Sequence, residues 1–153
     1  MIAGTFLIPE VVIYFNNKIL RGNRATKDSS TKLAAFMSPN MLPLAHLDVK
    51  FEINWDVVLR NSSGELNLFK NLEQSISFIT MSPCMNINAL KLVLASSKAV
   101  IIAGYGMGNL PSNNKAVMEA ITSAIKRNII VVIKTQCHRG SVSDVYETGR
   151  VLT

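Results

Sequence analysis

The strongest constraint on this chain is the alternation of short apolar runs with helix-period segments between residues 76 and 133. ISFITM (76–81) reads as a strand, INALKLVLA (87–95) carries apolar residues at helical spacing, and AVIIA (99–103) is a short continuous strand. SNNKAVMEAITSAIKRN (112–128) places Val117, Ile121, Ala124 and Ile125 on one face, with Ser112 or Asn113 as N-cap. IIVVI (129–133) follows as another buried strand. Strand–helix–strand–helix order implies an α/β class with a parallel sheet covered on both faces, so AVIIA and IIVVI should run parallel.

The first half is less regular. EVVIYF (10–15), bounded by Pro9 and by Asn16 and Asn17, reads as a buried strand. The polar stretch NNKILRGNRATKDSSTK follows with Gly22 as its turn point, and FEINW (51–55) is a further strand. Asn61, Ser62, Ser63 and Gly64 form the best linker, so two incomplete α/β halves are expected on either side of it.

Composition removes several function classes. With 48% hydrophobic residues, 153 residues suffice for one core or parts of two, but no apolar run approaches the roughly 18 residues of a membrane span. No signal-peptide pattern opens the sequence at Met1. The formal charge is +6, with five basic residues (Lys18, Arg21, Arg24, Lys27, Lys32) in KILRGNRATKDSSTK. Few aromatic residues are interleaved for base stacking, which argues against nucleic acid as a partner. Cys84 and Cys137 make neither a disulfide framework nor a metal set and read as reduced cytosolic thiols.

Between strand AVIIA and the next helix lies AGYGMGNLPSN (103–113), with Gly104, Gly106 and Gly108. A dinucleotide fingerprint needs G-x-G-x-x-G, and here the third glycine comes one residue early. A phosphate loop needs glycine followed by lysine, a pair the chain does not contain. The glycines therefore read as backbone in unusual dihedrals or in close approach. Asn109 closes the turn with a carboxamide that can hold an amino-acid-like ligand or serve its own backbone. His46 and His138 have no partner at a telling spacing, and Ser141 and Ser143 lack a G-x-S-x-G context. Asp48, Glu52, Asp56 and Glu65 show no pairing suited to acid–base work, and the methionines read as gap filling.

Five segments taken together, IPEVVIYFNNKILRGNRATK, AAFMSPNMLPLA, AGYGMGNLPSN, IIVVIKTQCHRGSV and YETG, resemble the L-asparaginase family, and most of all its cytosolic type. The resemblance implies parts of two domains of a parallel-sheet, three-layer α/β hydrolase that converts L-asparagine to L-aspartate and ammonia. Residues 1–58 would be the carboxyl-terminal part of the first domain, 59–71 the connection, and 72–153 an incomplete second domain. The family's nucleophile is a threonine hydroxyl assisted by a second threonine, an aspartate and a lysine, as a hydroxyl weak at its own pKa requires. No metal or organic cofactor is implied. The implied partners are the substrate and further copies, as a dimer or tetramer, in the cytoplasm.

Two departures qualify that implication. The nucleophile belongs to a T-G-G-T motif and its partners to T-D-T, and neither motif occurs in these 153 residues. By the resemblance, Met1 falls in a helix preceding EVVIYF and YETGRVLT begins another, so this is a middle segment with no catalytic residue of its own. Asn109 matches an asparagine that reaches across a subunit interface to the partner's substrate. Thr26, Asn109, Thr135 and Cys137 match positions lining an effector site, where Ala103 replaces an arginine that grips the effector carboxylate. Arg21 and Arg24, in the R-G-N-R signature, are expected to fix a loop by hydrogen bonds. The alternatives are a non-catalytic amino-acid-binding or oligomerisation module, and a subunit of a tRNA amidotransferase.

Overall fold

The computed structural model describes residues 7–60 and 67–143. The expected linker at 61–64, the helix expected at Met1 and the helix start expected at YETG (146–149) lie outside the described residues. The chain divides into two compact units, 1–68 and 69–153.

The first unit is antiparallel. Strand β1 (Val12–Phe15) turns back onto β2 (Lys18–Arg21) with Phe15 opposite Lys18, leaving a two-residue loop. Asn16 and Asn17 occupy that loop at φ 46° and 58°, the left-handed pair that suits a hairpin with right-twisted strands. The chain thus turns at Asn16–Asn17 and not at Gly22, and KILR is a strand rather than part of a polar loop. Gly22 instead lies against Val11, whose carbonyl accepts its N–H at 2.8 Å. Beyond it, β5 (Ala45–Leu47) and β6 (Phe51–Ile53) complete the order β1-β2-β5-β6, while β3 (Thr26–Lys27) and β4 (Phe36–Met37) pair separately. Ile19, Leu44, Ala45 and Val58 form the buried cluster. EVVIYF is not buried as expected: β1 sits at the sheet edge, and its residues alternate between exposed and half-buried.

The second unit has the parallel topology read from the sequence. β7 (Ile76–Thr80), β8 (Ala99–Gly104) and β9 (Ile130–Thr135) stand in that order, all parallel, with Ile102 beside Ile79 and Ile133. The crossovers are α1 (Ile87–Ser96) and α2 (Lys115–Lys126). Asn86 caps α1 by accepting the N–H groups of Asn88 and Ala89, at 3.0 and 3.2 Å. Leu90, Leu94, Val117, Ile121 and Ala124 pack on Val100, Ile102 and Ile79, so both helices lie on one face of the sheet. Among the described residues the opposite face carries no helix, and Phe78 is 58% and Ile130 64% exposed. One-sided cover among the described residues accounts for those exposures. It also explains why IIVVI alternates between exposed and half-buried positions rather than being buried throughout.

Candidate functional site

The carboxyl end of β8 feeds straight into the glycine turn. The Tyr105 N–H donates to the Asn109 carbonyl at 2.8 Å, and the N–H groups of Gly108 and Asn109 both donate to the Tyr105 carbonyl at 2.8 Å. AGYGMGN is therefore a tight hairpin closed on itself. Each glycine is needed for its own reason. A Cβ on Gly104 would stand 2.6 Å from the Gly108 carbonyl oxygen, because the hairpin folds back over it. Gly106 and Gly108 have φ of +46° and +95°. The Gly108 and Asn109 amides are used by Tyr105 and so are not turned toward a phosphate, in line with the failed fingerprint spacing.

A second strand end braces this turn. The Thr135 hydroxyl hydrogen-bonds the Gly106 carbonyl and accepts the Cys137 N–H at 2.9 Å. The Cys137 Sγ lies 3.8 Å from the same Gly106 oxygen. The Gln136 N–H donates to the Gly104 carbonyl at 3.0 Å, and its side-chain amide reaches the carbonyls of Met81 and Ala103 at 2.8 and 3.0 Å. From the other side, the Ser143 N–H donates to the Met107 carbonyl at 3.1 Å, and Val142 packs where a Gly108 Cβ would point.

The structure thus gathers Thr135 and Cys137 around the turn that carries Asn109, whose residue is half-buried. Thr26 belongs to the first unit, in β3 opposite Met37. Ala103 is packed at 2% exposure, and its methyl offers no charge or donor. Gln136 was not singled out in the sequence, although its place directly after an apolar strand, at the ligand-binding end of a parallel sheet, was a usable signal.

Beside the hairpin an open groove is lined by Pro83, Tyr105, Pro111, Asn113, Asn114 and Lys115. Its polar groups are the Tyr105 phenol, two carboxamides and one ammonium at the start of α2, whose first turn holds no acidic residue. Such a set binds and orients, and has no nucleophile with a base beside it. Thr135 is not poised for attack, because its hydroxyl is held by the Gly106 carbonyl. Among the described residues, no group of three or more His, Cys, Asp or Glu side chains is placed to hold a metal ion. No helix there is long and apolar enough to cross a membrane.

In the first unit, Arg21 has the loop-fixing role expected of its signature. Its guanidinium pairs with Glu10 through two nitrogens, and Nη2 also donates to the Val57 carbonyl at 2.8 Å. The Leu59 N–H donates to Glu10 Oε1 at 2.8 Å, so one carboxylate joins the hairpin to the 57–59 segment. The Arg21 hydrogen bond lowers the Glu10 pKa, burial opposes this, and the Leu59 N–H lowers it further. Arg24 contributes its carbonyl, which accepts the Ser38 hydroxyl at 2.8 Å.

Two family models match the chain: "Asparaginase, N-terminal" over residues 1–59 and "Glutaminase/Asparaginase C-terminal domain" over 75–153. An L-asparaginase of Dirofilaria immitis is 36% identical over 99% of the chain, which spans 26% of that protein. A human protein named 60 kDa lysophospholipase is 32% identical over 99% of the chain, again spanning 27% of its length. The crystal structure of L-asparaginase I from Vibrio cholerae superimposes with a TM-score of 0.86 at 34% identity, over 97% of this chain and 45% of that one. The chain therefore spans less than half the length of each of these relatives.

Proposed function

Because the chain belongs to the glutaminase/asparaginase family, we propose that it supplies a substrate-contacting turn to an enzyme that hydrolyses L-asparagine to L-aspartate and ammonia. The carrying observation is the hairpin that locks Asn109 beyond the carboxyl end of β8 by two reciprocal backbone bonds to Tyr105. The Asn109 side chain is a carboxamide, a group with both donors and an acceptor, which suits an amino-acid ligand. The attacking threonine comes from outside these residues, since T-G-G-T and T-D-T do not occur in them and Thr135 is engaged by Gly106.

In this reading Asn109 reaches the substrate bound by a partner copy, and the assembly is a dimer or tetramer. Residues 59–71 connect the two domains. Two exposed free cysteines favour a reducing, cytoplasmic setting. Asn109, Thr135 and Cys137, from the second unit, contribute to an effector site that lacks its carboxylate clamp, because Ala103 can make no charge-assisted bond.

The test is a hybrid in which residues 1–153 replace the matched segment of the Vibrio cholerae enzyme. Asn109→Ala in that hybrid should lower kcat/KM for asparagine about tenfold, the worth of roughly one to two neutral hydrogen bonds. An unchanged kcat/KM contradicts the reading. Hydrolysis of lysophospholipid in place of asparagine would move the substrate class to that of the human relative.

A further inference from the structure

The hairpin that carries Asn109 starts at Tyr105, one residue past the end of β8. The regular ladder between β8 and β9 ends with Gly104 opposite Thr135. What lies beyond that pair is not fixed by the sheet. Gln136, the next residue of the neighbouring strand, takes over there. Its backbone N–H donates to the Gly104 carbonyl at 3.0 Å. Its side-chain Nε2 donates to the Met81 carbonyl at 2.8 Å and to the Ala103 carbonyl at 3.0 Å.

A primary amide has two N–H groups, and both are used here. Met81 follows the last residue of β7, so one side chain joins the ends of all three strands. The Met81 N–H also donates to the Ala103 carbonyl, at 3.0 Å, which makes that oxygen a shared node. Thr135 completes the brace by bonding the Gly106 carbonyl inside the turn. The Gln136 carboxamide adds nothing to the apolar core, whose members come from the strands and helices. What it fixes is the direction in which the chain leaves β8.

We infer that Gln136 is a positioning residue for the substrate-contacting turn. By holding the Met81, Ala103 and Gly104 carbonyls together, it sets where Asn109 stands above the sheet. Contact atoms must be held within a fraction of an ångström to be productive, and a neighbour with both donors committed does this better than a lone hairpin. The inference rests on the reading of Asn109 as a substrate contact, and its test is divided accordingly.

The first arm measures hydrogen exchange in the hybrid enzyme, comparing peptides over 104–112 with peptides over 115–126. Gln136→Glu keeps the shape but presents acceptors to two carbonyls. It should speed exchange in the turn about tenfold, the loss of two modest hydrogen bonds, and leave α2 within about twofold. Gln136→Leu should do the same, and Gln136→Arg, which can donate to both carbonyls, should restore slow exchange. Unchanged turn exchange in Gln136→Glu overturns the inference. Equal acceleration in the turn and in α2 also overturns it, because a merely structural residue would loosen both.

The second arm uses the hybrid enzyme, where Gln136→Glu should reproduce the division between KM and kcat caused by Asn109→Ala. If Asn109→Ala itself changes neither constant, the substrate-contact reading fails while the exchange result still decides whether Gln136 positions the turn. If Asn109→Ala acts and Gln136→Glu does not, the inference about Gln136 is wrong.

Discussion

Gly104, Gly106 and Gly108 differ in what a methyl group would meet, so alanine substitution should rank them. Gly104→Ala drives a Cβ to 2.6 Å from a backbone oxygen that cannot swing aside. Its expected cost is roughly 1–3 kcal/mol, the range for forced overpacking. Gly106→Ala meets open space and bears only the left-handed backbone penalty, about 1 kcal/mol. Gly108→Ala falls between them, since the Val142 methyls at 2.8 and 3.1 Å belong to a side chain that can shift. Urea midpoints at constant m check the ranking, and a Gly106 variant costlier than the Gly104 variant contradicts it.

Also at this scale, the Glu10 carboxylate predicts a direction of pH dependence. Its folded pKa is lowered, so its contribution is present above the unfolded carboxylate value of about 4.3 and is lost as pH falls through the folded value. Glu10→Gln should lower the thermal midpoint near neutral pH and fall less steeply than the parent below about pH 4. Parallel curves for the two proteins would show that Glu10 does not titrate as described. Glu73 gives a direct spectroscopic check. The Lys98 ammonium, with help from the Ser75 N–H, holds its pKa at about 2, which carboxyl NMR should report. The glycine pattern shows how far single residues were legible: the failed spacing removed nucleotide binding, but the reciprocal Tyr105–Asn109 closure leaves no mark in composition. Gln136 was missed for the same reason, because its partners are carbonyls of residues 55 and 33 positions away.

At the scale of elements, periodicity located α1, α2 and the three parallel strands, and the strand ends moved by only one or two residues. The helix expected to be capped by Ser112 or Asn113 begins at Lys115, with Asn114 as its cap. Pro111 causes the shift: its carbonyl accepts the Asn114 N–H at 2.9 Å, closing a turn that uses residues 111–114 before the helix starts. The Asn114 side chain then accepts the Val117 N–H at 3.3 Å. Asn114→Ala should cost about 1 kcal/mol, whereas Ser112→Ala and Asn113→Ala should stay within about 0.5 kcal/mol. Denaturant melts of the three variants decide it, and a larger loss at Ser112 or Asn113 would restore the expected cap. Ile125 was assigned to the apolar face but is 40% exposed, while Met118 and Ala120 are buried. The packed stripe is therefore rotated from the one read off the sequence. In the first unit, Asn16–Asn17 was read only as a strand boundary, and the antiparallel pairing of β1 with β2 together with the positive φ of both residues shows the hairpin.

At the scale of the whole molecule, the class and the order of the second unit were legible because both follow from apolar periods. What covers each face was not, because an alternating strand looks the same whether its second face meets a helix or water. The sheet face that carries no helix among the described residues presents Ile76, Phe78, Ile130 and Val132, with the Lys134 ammonium over the Phe78 ring. A contiguous apolar sheet face of this kind promotes association. The isolated chain should sediment as oligomers or aggregates, and Phe78→Ser with Val132→Thr should shift it toward monomer without changing its far-UV circular dichroism. A parent chain that remains monomeric as concentration rises contradicts this.

We propose that these residues complete an asparagine-hydrolysing site without containing its attacking group. This proposal is tested most directly by ammonia release from L-asparagine, measured side by side for the purified chain and for the Vibrio cholerae hybrid carrying residues 1–153. No release above buffer is expected from the chain alone, and steady turnover is expected from the hybrid. Release by the chain alone that survives repurification, or a folded hybrid with no turnover, would contradict it.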